Sequence, residues 1–399
     1  MAPLGDAAVT VTPDTPVTVQ QDRDVVLVHF DSALEYDTSY HVHIAGVRAA
    51  AGGATVDVDQ VVRTPPLQLT WLERAASGDR IVTATPGSEP GVVYSGNGIQ
   101  DFLPIDAAAM LVVTGGGGTS RASIVAIDGS SNSEELESPG GTPGWIGNLQ
   151  SAGTDVLYTF SSSTSDPSTS VPLFDHALFR VDLTGNHVPE LVTGLGGGAL
   201  AVDAIIPIPG TSAAYVHTRG GDILRYESGS TEPPALVARY AELVALAGDR
   251  RRLSVTDTLG PLIYDLDTGA ETRVQGSPSV TTGVPPYIAD VVPVRDGRRI
   301  ERAVVPNLDF TAFDSFIAID DGASSSMLFR TADPAGDVLR YQVTPNDRYL
   351  VAEVSPAGDS PSVSDGYAVE ARPRDVTLVV IDIWAGTLVA EWPGLLARW

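Results

Sequence analysis

Residues 338–354 read VLRYQVTPNDRYLVAEV, and residues 288–305 read IADVVPVRDGRRIERAVV. Each is a run of β-branched, aromatic and aliphatic residues, then a short turn of Asn, Asp or Gly, then a second such run. This is the pattern of two antiparallel strands joined by a tight turn. The same phrase begins at Leu67, Ile99, Trp145, Val202 and Ala241, which makes seven instances. Gly78-Asp79, Gly153-Thr154, Gly210-Thr211 and Gly248-Asp249 supply the turn chemistry, and only the unit at Ile99 turns differently, around Ala107 to Ala109. A third strand follows most pairs: SIVAIDG at Ser123, ALFRVDLTG at Ala177, DILRYESG at Asp222, PLIYDLDTG at Pro261, SFIAIDDG at Ser315 and TLVVIDIWAG at Thr377, with GVVYSGNG at Gly91 a weaker member. A fourth, more variable strand can be read beyond it, as in ETRVQG at Glu271.

Four antiparallel strands recurring every ~32 to ~57 residues cannot bury both faces alone, so neighbouring units must pack face to face around an axis. The expected fold is all-β: a seven-bladed β-propeller. The blade phrase, with Thr344 to Asp347, Arg295 to Gly297 and the Gly-Asp turns between its strands, resembles the TolB-type and tryptophan-aspartate-repeat-like propellers of bacteria. That resemblance covers residues 67–399 and implies the fold. It leaves function open, because such propellers serve both as binding scaffolds and as enzymes. The chain reads as entering its first blade by the inner strand and leaving the seventh by the outer one, so no strand obviously staples the ring and its closure is left open.

Residues before 65 do not join the repeat. AVTVTP, PVTVQ, DVVLVHF and SYHVHIAGV alternate with period two, as half-buried strands do. Residues 34–64 resemble the C-terminal half of a bacterial Ig-like domain of the surface-layer type, with Val62-Arg63-Thr64 in place of its closing aromatic. The expected organisation is a small, incomplete Ig-like β-sandwich over 1–64 and the propeller over 65–399, joined at Thr64-Pro65-Pro66.

The chain has 399 residues, 43% hydrophobic and 19% charged, with 40 glycines and 29 prolines, enough apolar content for a full core and much turn punctuation. No apolar run reaches the ~18 to 20 residues of a membrane helix. Asp and Glu total 50 against 24 Lys+Arg, all arginine, for a formal charge of -26. Such a field repels phosphate backbones and anionic lipid, which argues against nucleic acid or a membrane as partner. Cysteine is absent, so disulfides and thiolate chemistry are excluded. The opening Met-Ala-Pro-Leu-Gly-Asp has no basic or apolar signal region. An extracellular or cell-envelope location is expected, with the cytoplasm as the alternative.

No catalytic set is legible. There is no G-x-S-x-G and no H-E-x-x-H, and no histidine follows His217. Neither a catalytic residue, nor a metal site, nor a cofactor is expected. His41 and His43, with His29, could chelate only if another ligand arrived, and they read as a solvated strand face. Gly194 to Ala199 matches G-x-G-x-x-A but lacks the following helix, so it reads as an inter-blade loop. The informative feature is loop length. Connections between second and third strands are long at 161–176, 306–314 and 355–375, on one face of the fold. They carry Phe174, Phe310, Phe313 and Tyr367 as candidate anchors, with Asp175, His176, Asp309 and Arg372 as polar neighbours. The function expected is non-catalytic recognition of a protein or glycan through this face; the alternative is a propeller hydrolase or lyase working at the central funnel.

Overall fold

The structure, a computed structural model, describes residues 9–399 apart from 23–24, 32–33, 48–53, 76, 117–118, 128–131, 167, 276–285, 295–296, 307–312, 332–335, 356–371 and 374. Among the described residues there is no α-helix, and the only helical turn is a short 3-10 segment at Pro139–Gly141. High Gly and Pro content and period-two apolar spacing are the local reasons.

The N-terminal segment forms two small sheets. Val9–Thr12, Ser39–Val47 and Val56–Arg63 make one, with the longest strand in the middle, and Val17–Asp22 pairs with Val25–Phe30 in the other. The two share one apolar cluster of Val11, Tyr40 and Val42 with Val17, Val28 and Phe30 against it. His41 and His43 lie on the face of their strand opposite Tyr40 and Val42, and His43 Nδ1 is 2.8 Å from Asp59 Oδ1.

Seven four-stranded antiparallel sheets follow among the described residues. The first holds Leu69–Ala75, Gly78–Ala84 and Gly91–Gly96; the second, Ile99–Pro104, Ala109–Gly116, Thr119–Ala126 and Ser133–Glu135. The third holds Gly144–Ala152, Asp155–Ser162, Ala177–Asp182 and Glu190–Leu191; the fourth, Val202–Pro207, Ala213–Thr218, Asp222–Glu227 and Ala235–Arg239. The fifth holds Glu242–Leu246, Arg252–Asp257, Gly260–Asp265 and Glu271–Arg273; the sixth, Tyr287–Pro293, Arg299–Pro306, Phe313–Asp320 and Ser325–Arg330. The seventh holds Asp337–Val343, Tyr349–Ser355, Thr377–Asp382 and Thr387–Pro393. This repetition of four-stranded antiparallel sheets is the β-propeller arrangement.

One expectation is corrected here. The first sheet takes its fourth strand from the other end of the chain: Leu395–Arg398 pairs with Leu69–Ala75, on the side away from Gly78–Ala84. The first unit therefore supplies the second, third and fourth strands of its sheet, and the C-terminal strand fills the lead position. A staple exists, and the phase of the first unit is shifted by one strand. This also accounts for the weak match of GVVYSGNG, which is an outer strand rather than a third one.

The core is a series of inter-sheet layers. Leu72, Ile81 and Leu395 of the first sheet pack with Phe102, Met110 and Val112 of the second. Leu111 and Val113 continue against Ile146, Tyr158 and Phe179 of the third, and Leu157 and Leu178 against Ile205 and Val216 of the fourth. Similar layers join the fourth to the fifth, the fifth to the sixth and the sixth to the seventh. The last joins the seventh to the first, through Val351, Leu378 and Val380 against Leu69, Trp71 and Val82. Each sheet face thus finds an apolar partner, which removes the exposed faces that a lone four-stranded sheet would present.

Candidate functional site

The pairing register brings the connections between second and third strands, and those between successive sheets, to one end of the molecule. At that end each lead strand of the second to seventh sheets breaks register with its neighbour. The skipped positions are Gln100, Asn148 with Leu149, Asp203, Val244, Ala289 and Leu339. Bulges of this kind re-aim side chains. They present polar groups on the second, third and fourth sheets and apolar ones on the fifth, sixth and seventh. Sequence reading missed this polar arc, because a bulge leaves no fixed residue signature.

The arc supports a network between the third and fourth sheets. Asp175 and His176 precede the strand Ala177–Asp182, and Arg219 follows Ala213–Thr218. Arg219 Nη1 donates to Asp175 Oδ2 at 2.6 Å, Nη2 lies 2.8 Å from His176 Nδ1, and Nε donates to Asp203 Oδ1 at 3.2 Å. Asn148 Nδ2 donates to the Asp203 carbonyl at 2.9 Å. The hydrogen bond from His176, with the charge of Arg219, holds the Asp175 carboxyl below the usual carboxylate range. All three charged side chains of Asp175, Asp203 and Arg219 keep 42–52% of their surface exposed, so the network is organised and still reachable from solvent.

The same place contains a serine, a histidine and an aspartate. Ser161 Oγ is 3.1 Å from His176 Nδ1, and Asp175 Oδ1 is 2.9 Å from that same nitrogen. A nucleophile–base–acid relay needs the serine and the carboxylate on opposite ring nitrogens. Here both crowd Nδ1, together with the Arg219 guanidinium. Ser161 also accepts a hydrogen bond from the His176 backbone N–H at 3.0 Å, a loop-closing role. The arrangement holds a loop and cannot relay a proton from Ser161 to His176 to Asp175.

The long loop at 161–176 is a self-bonded hairpin extension. Ser165 bridges Pro172, Asp166 N–H donates to the Val171 carbonyl, and Ser162 N–H to that of Phe174. Phe174, expected as an exposed anchor, is half-buried and points inward, edge-on to Phe160 at 6.1 Å and Phe179 at 5.2 Å. Burial of its ring against two others explains the difference. Arg372 reaches across to donate to the Gln100 carbonyl at 2.8 Å, tying the loop of the seventh sheet to the second. Asp309, Phe310 and Tyr367 lie outside the described residues; Phe313 is described by its backbone alone, opposite Pro306. The structure thus brings Asp175 and His176 together, and adds Arg219, Asp203 and Asn148. Gly194 to Ala199 closes as a loop, with Gly194 N–H donating to the Gly198 carbonyl and no helix after it.

Two hollows flank the network at this end. A groove of about 570 Å3 between the fourth and fifth sheets is lined by Arg219, Gly221, Arg239, Tyr240, Asp257 and Thr258. Arg239 Nε is held by Asp222 at 2.7 Å and the Tyr240 hydroxyl by Glu271 at 2.6 Å. A second cavity, of about 370 Å3, lies between the second and third sheets. Among the described residues no group of three or more His, Asp or Glu is placed to hold a metal ion.

No protein-family model matches the chain, and no curated protein matches its sequence. Solved structures do resemble it in fold. Dihydro-heme d1 dehydrogenase NirN in complex with DHE is 14% identical, covering 83% of this chain and 74% of that one, with a TM-score of 0.44. The WD40 domain of Toxoplasma gondii coronin is 12% identical, covering 71% and 68%, at 0.42. The uncharacterized protein lmo1340 of Listeria monocytogenes EGD-e is 9% identical, covering 81% and 90%, at 0.44. The likeness is one of strand arrangement, and nothing about ligand or activity passes from these proteins to this chain.

Proposed function

We propose that the protein is a non-catalytic binding protein of the cell envelope or extracellular space. In this reading the seven sheets are the blades of one closed, TolB-like propeller, preceded by an Ig-like module. The loop-bearing end recognises a protein or glycan partner around Asp175, His176 and Arg219. The observation that carries the reading is the half-exposed network of Arg219 with Asp175, His176 and Asp203. It is held by several hydrogen bonds and opens directly onto the groove that Arg219 also lines. A polar patch fixed in advance loses little freedom on binding, which favours recognition. The crowding of Ser161 and Asp175 on one histidine nitrogen speaks against hydrolysis there. A net charge of -26 favours cationic or neutral partners over anionic ones.

The test uses the whole chain against immobilised lysine-rich peptides and neutral polysaccharides at low and high salt. Arg219→Ala combined with Asp175→Asn should weaken capture by roughly tenfold or more while moving the melting temperature by no more than ~2 °C. Equal capture by wild type and variant would remove the network from the recognition site.

A further inference from the structure

The cavity between the second and third sheets has a construction unlike the network beside it. Its floor is apolar: Ala122, Leu136 and Ile146, all at least nine-tenths buried, belong to the layer joining the two sheets. Its rim is polar, with Thr119, Ser138 and Thr142 hydroxyls and the charged ends of Arg121, Glu135 and Glu137. Arg121 Nη1 and Glu135 Oε1 stand 3.8 Å apart and are largely exposed, a loose pair that can turn toward a ligand. Tyr158 also lines the cavity. It is 3% exposed, its ring stacks on Phe179 at 6.1 Å, and its hydroxyl has no hydrogen-bond partner among the described residues. Burial alone pushes its phenol well above the ordinary tyrosine value. A ligand hydroxyl entering the cavity would meet this phenol as a ready hydrogen-bonding partner beside the apolar floor.

We propose that this cavity binds a neutral pyranose sugar, free or as the end of a glycan, with the Tyr158 hydroxyl as its fixed hydrogen-bonding group. A pyranose presents an apolar C–H face, which suits the floor of Ala122, Leu136 and Ile146. Its hydroxyls lie around the ring edge, which suits Tyr158 below and the Thr, Ser, Arg and Glu groups above. The volume, about 370 Å3, suits one or two sugar rings. The inference goes beyond the recognition reading above, because the two sites share no lining residue. A variant at one should leave the other intact, so either can fail alone.

The experiment titrates the full chain with glucose, galactose, mannose and disaccharides of each, following ligand resonances by saturation-transfer NMR and affinity by calorimetry. At least one sugar should bind, independently of salt. Tyr158→Phe should weaken it roughly tenfold without lowering the melting temperature, since no hydrogen bond of the protein is lost. Ser138→Trp, at an exposed rim position, should block binding while leaving the fold intact. Three results would overturn the proposal: no sugar of the panel binds, Tyr158→Phe binds as tightly as wild type, or methylammonium competes and binding falls with salt. The last would make the cavity a cation site of Glu135 and Glu137.

Discussion

Arginine, the sole basic residue besides histidine, ties sheets together in ways a lysine could not. Arg302 donates through Nε to Asp290 in its own sheet at 2.6 Å and through Nη1 to the Val338 carbonyl of the next at 2.8 Å. Arg74 reaches the Ile99 carbonyl of the second sheet at 3.0 Å, and Arg398 reaches Asp101 at 2.8 Å. The planar fork serves two acceptors at fixed angles, whereas an ammonium is a point charge. His187 does related work between the second and third sheets, since both ring nitrogens face acceptors. Nδ1 is 2.9 Å from Glu134 Oε1, and Nε2 is 3.0 Å from the Leu183 carbonyl. The bond to Glu134, then that to the Leu183 carbonyl, raises its pKa above the ordinary histidine value. Because the folded value lies above the unfolded one, the stabilisation is complete below about pH 6.5 and is lost as pH rises through the folded value. Urea unfolding of wild type should therefore weaken, relative to His187→Gln, as pH climbs from about 6 to alkaline. A stability difference between the two that stays constant with pH would mean the imidazolium is not held by Glu134.

At the scale of the strand, the closing element is the one most sensitive to a single atom. Gly394 turns the chain at φ +144°, its N–H donates to the Val376 carbonyl at 2.9 Å, and a Cβ there would collide with Trp71 Cδ1 and lie 2.8 Å from the Leu72 carbonyl. Trp71 cannot give way, since it is fully buried, stacks on Trp392 at 4.8 Å and donates from Nε1 to the Pro393 carbonyl at 3.1 Å. Gly394→Ala should cost roughly 2–4 kcal/mol in urea unfolding, through both strain and displaced packing. Gly386→Ala, at a turn with open space around it, should cost only about 1 kcal/mol. Equal losses would show that the terminal strand is not wedged against Trp71. The contrast also explains what the sequence revealed. Strand pairs such as 338–354 were legible because apolar run, turn and apolar run are all local. Leu395–Arg398 was not, because four residues after Pro393-Gly394 carry no period, and their pairing with Leu69–Ala75 is set by the far end of the chain. The site was partly legible for the same reason. Loop length pointed to Asp175 and His176, while Arg219, Asp203 and Asn148 join them only through contacts between sheets, and Phe174 turned inward because two rings were there to receive it.

At the scale of the whole molecule, the question is how far the N-terminal sheets and the propeller depend on each other. Thr64 Oγ1 donates to the Glu35 carbonyl at 2.6 Å and accepts from the Thr38 N–H at 2.9 Å, and Asp37 N–H donates to the Pro65 carbonyl at 2.9 Å. The segment expected as a linker is thus bonded back onto the N-terminal sheets. Across to the seventh sheet, Glu35 Oε2 accepts from Arg348 Nη1 at 3.0 Å, and Arg348 also lies 5.1 Å from the Tyr349 ring and 5.8 Å from that of Trp384. This pair is about a third exposed on each side, so it is worth no more than ~1 kcal/mol. By contrast, the layer between seventh and first sheets is made of Leu69, Trp71, Val82, Val351, Leu378 and Val380, and among the described residues none from before 65 joins it. The closing strand likewise comes from the C-terminal end. Residues 65–399 alone should therefore fold with an unchanged far-ultraviolet spectrum, unfold in one transition and lose only a few degrees in melting temperature. Arg348→Ala in the full chain should reproduce most of that small loss. If the shortened chain is instead molten or aggregates, the seam from Glu35 to Trp384 carries more of the stability than its exposure allows, and the N-terminal sheets belong to the propeller as a structural part.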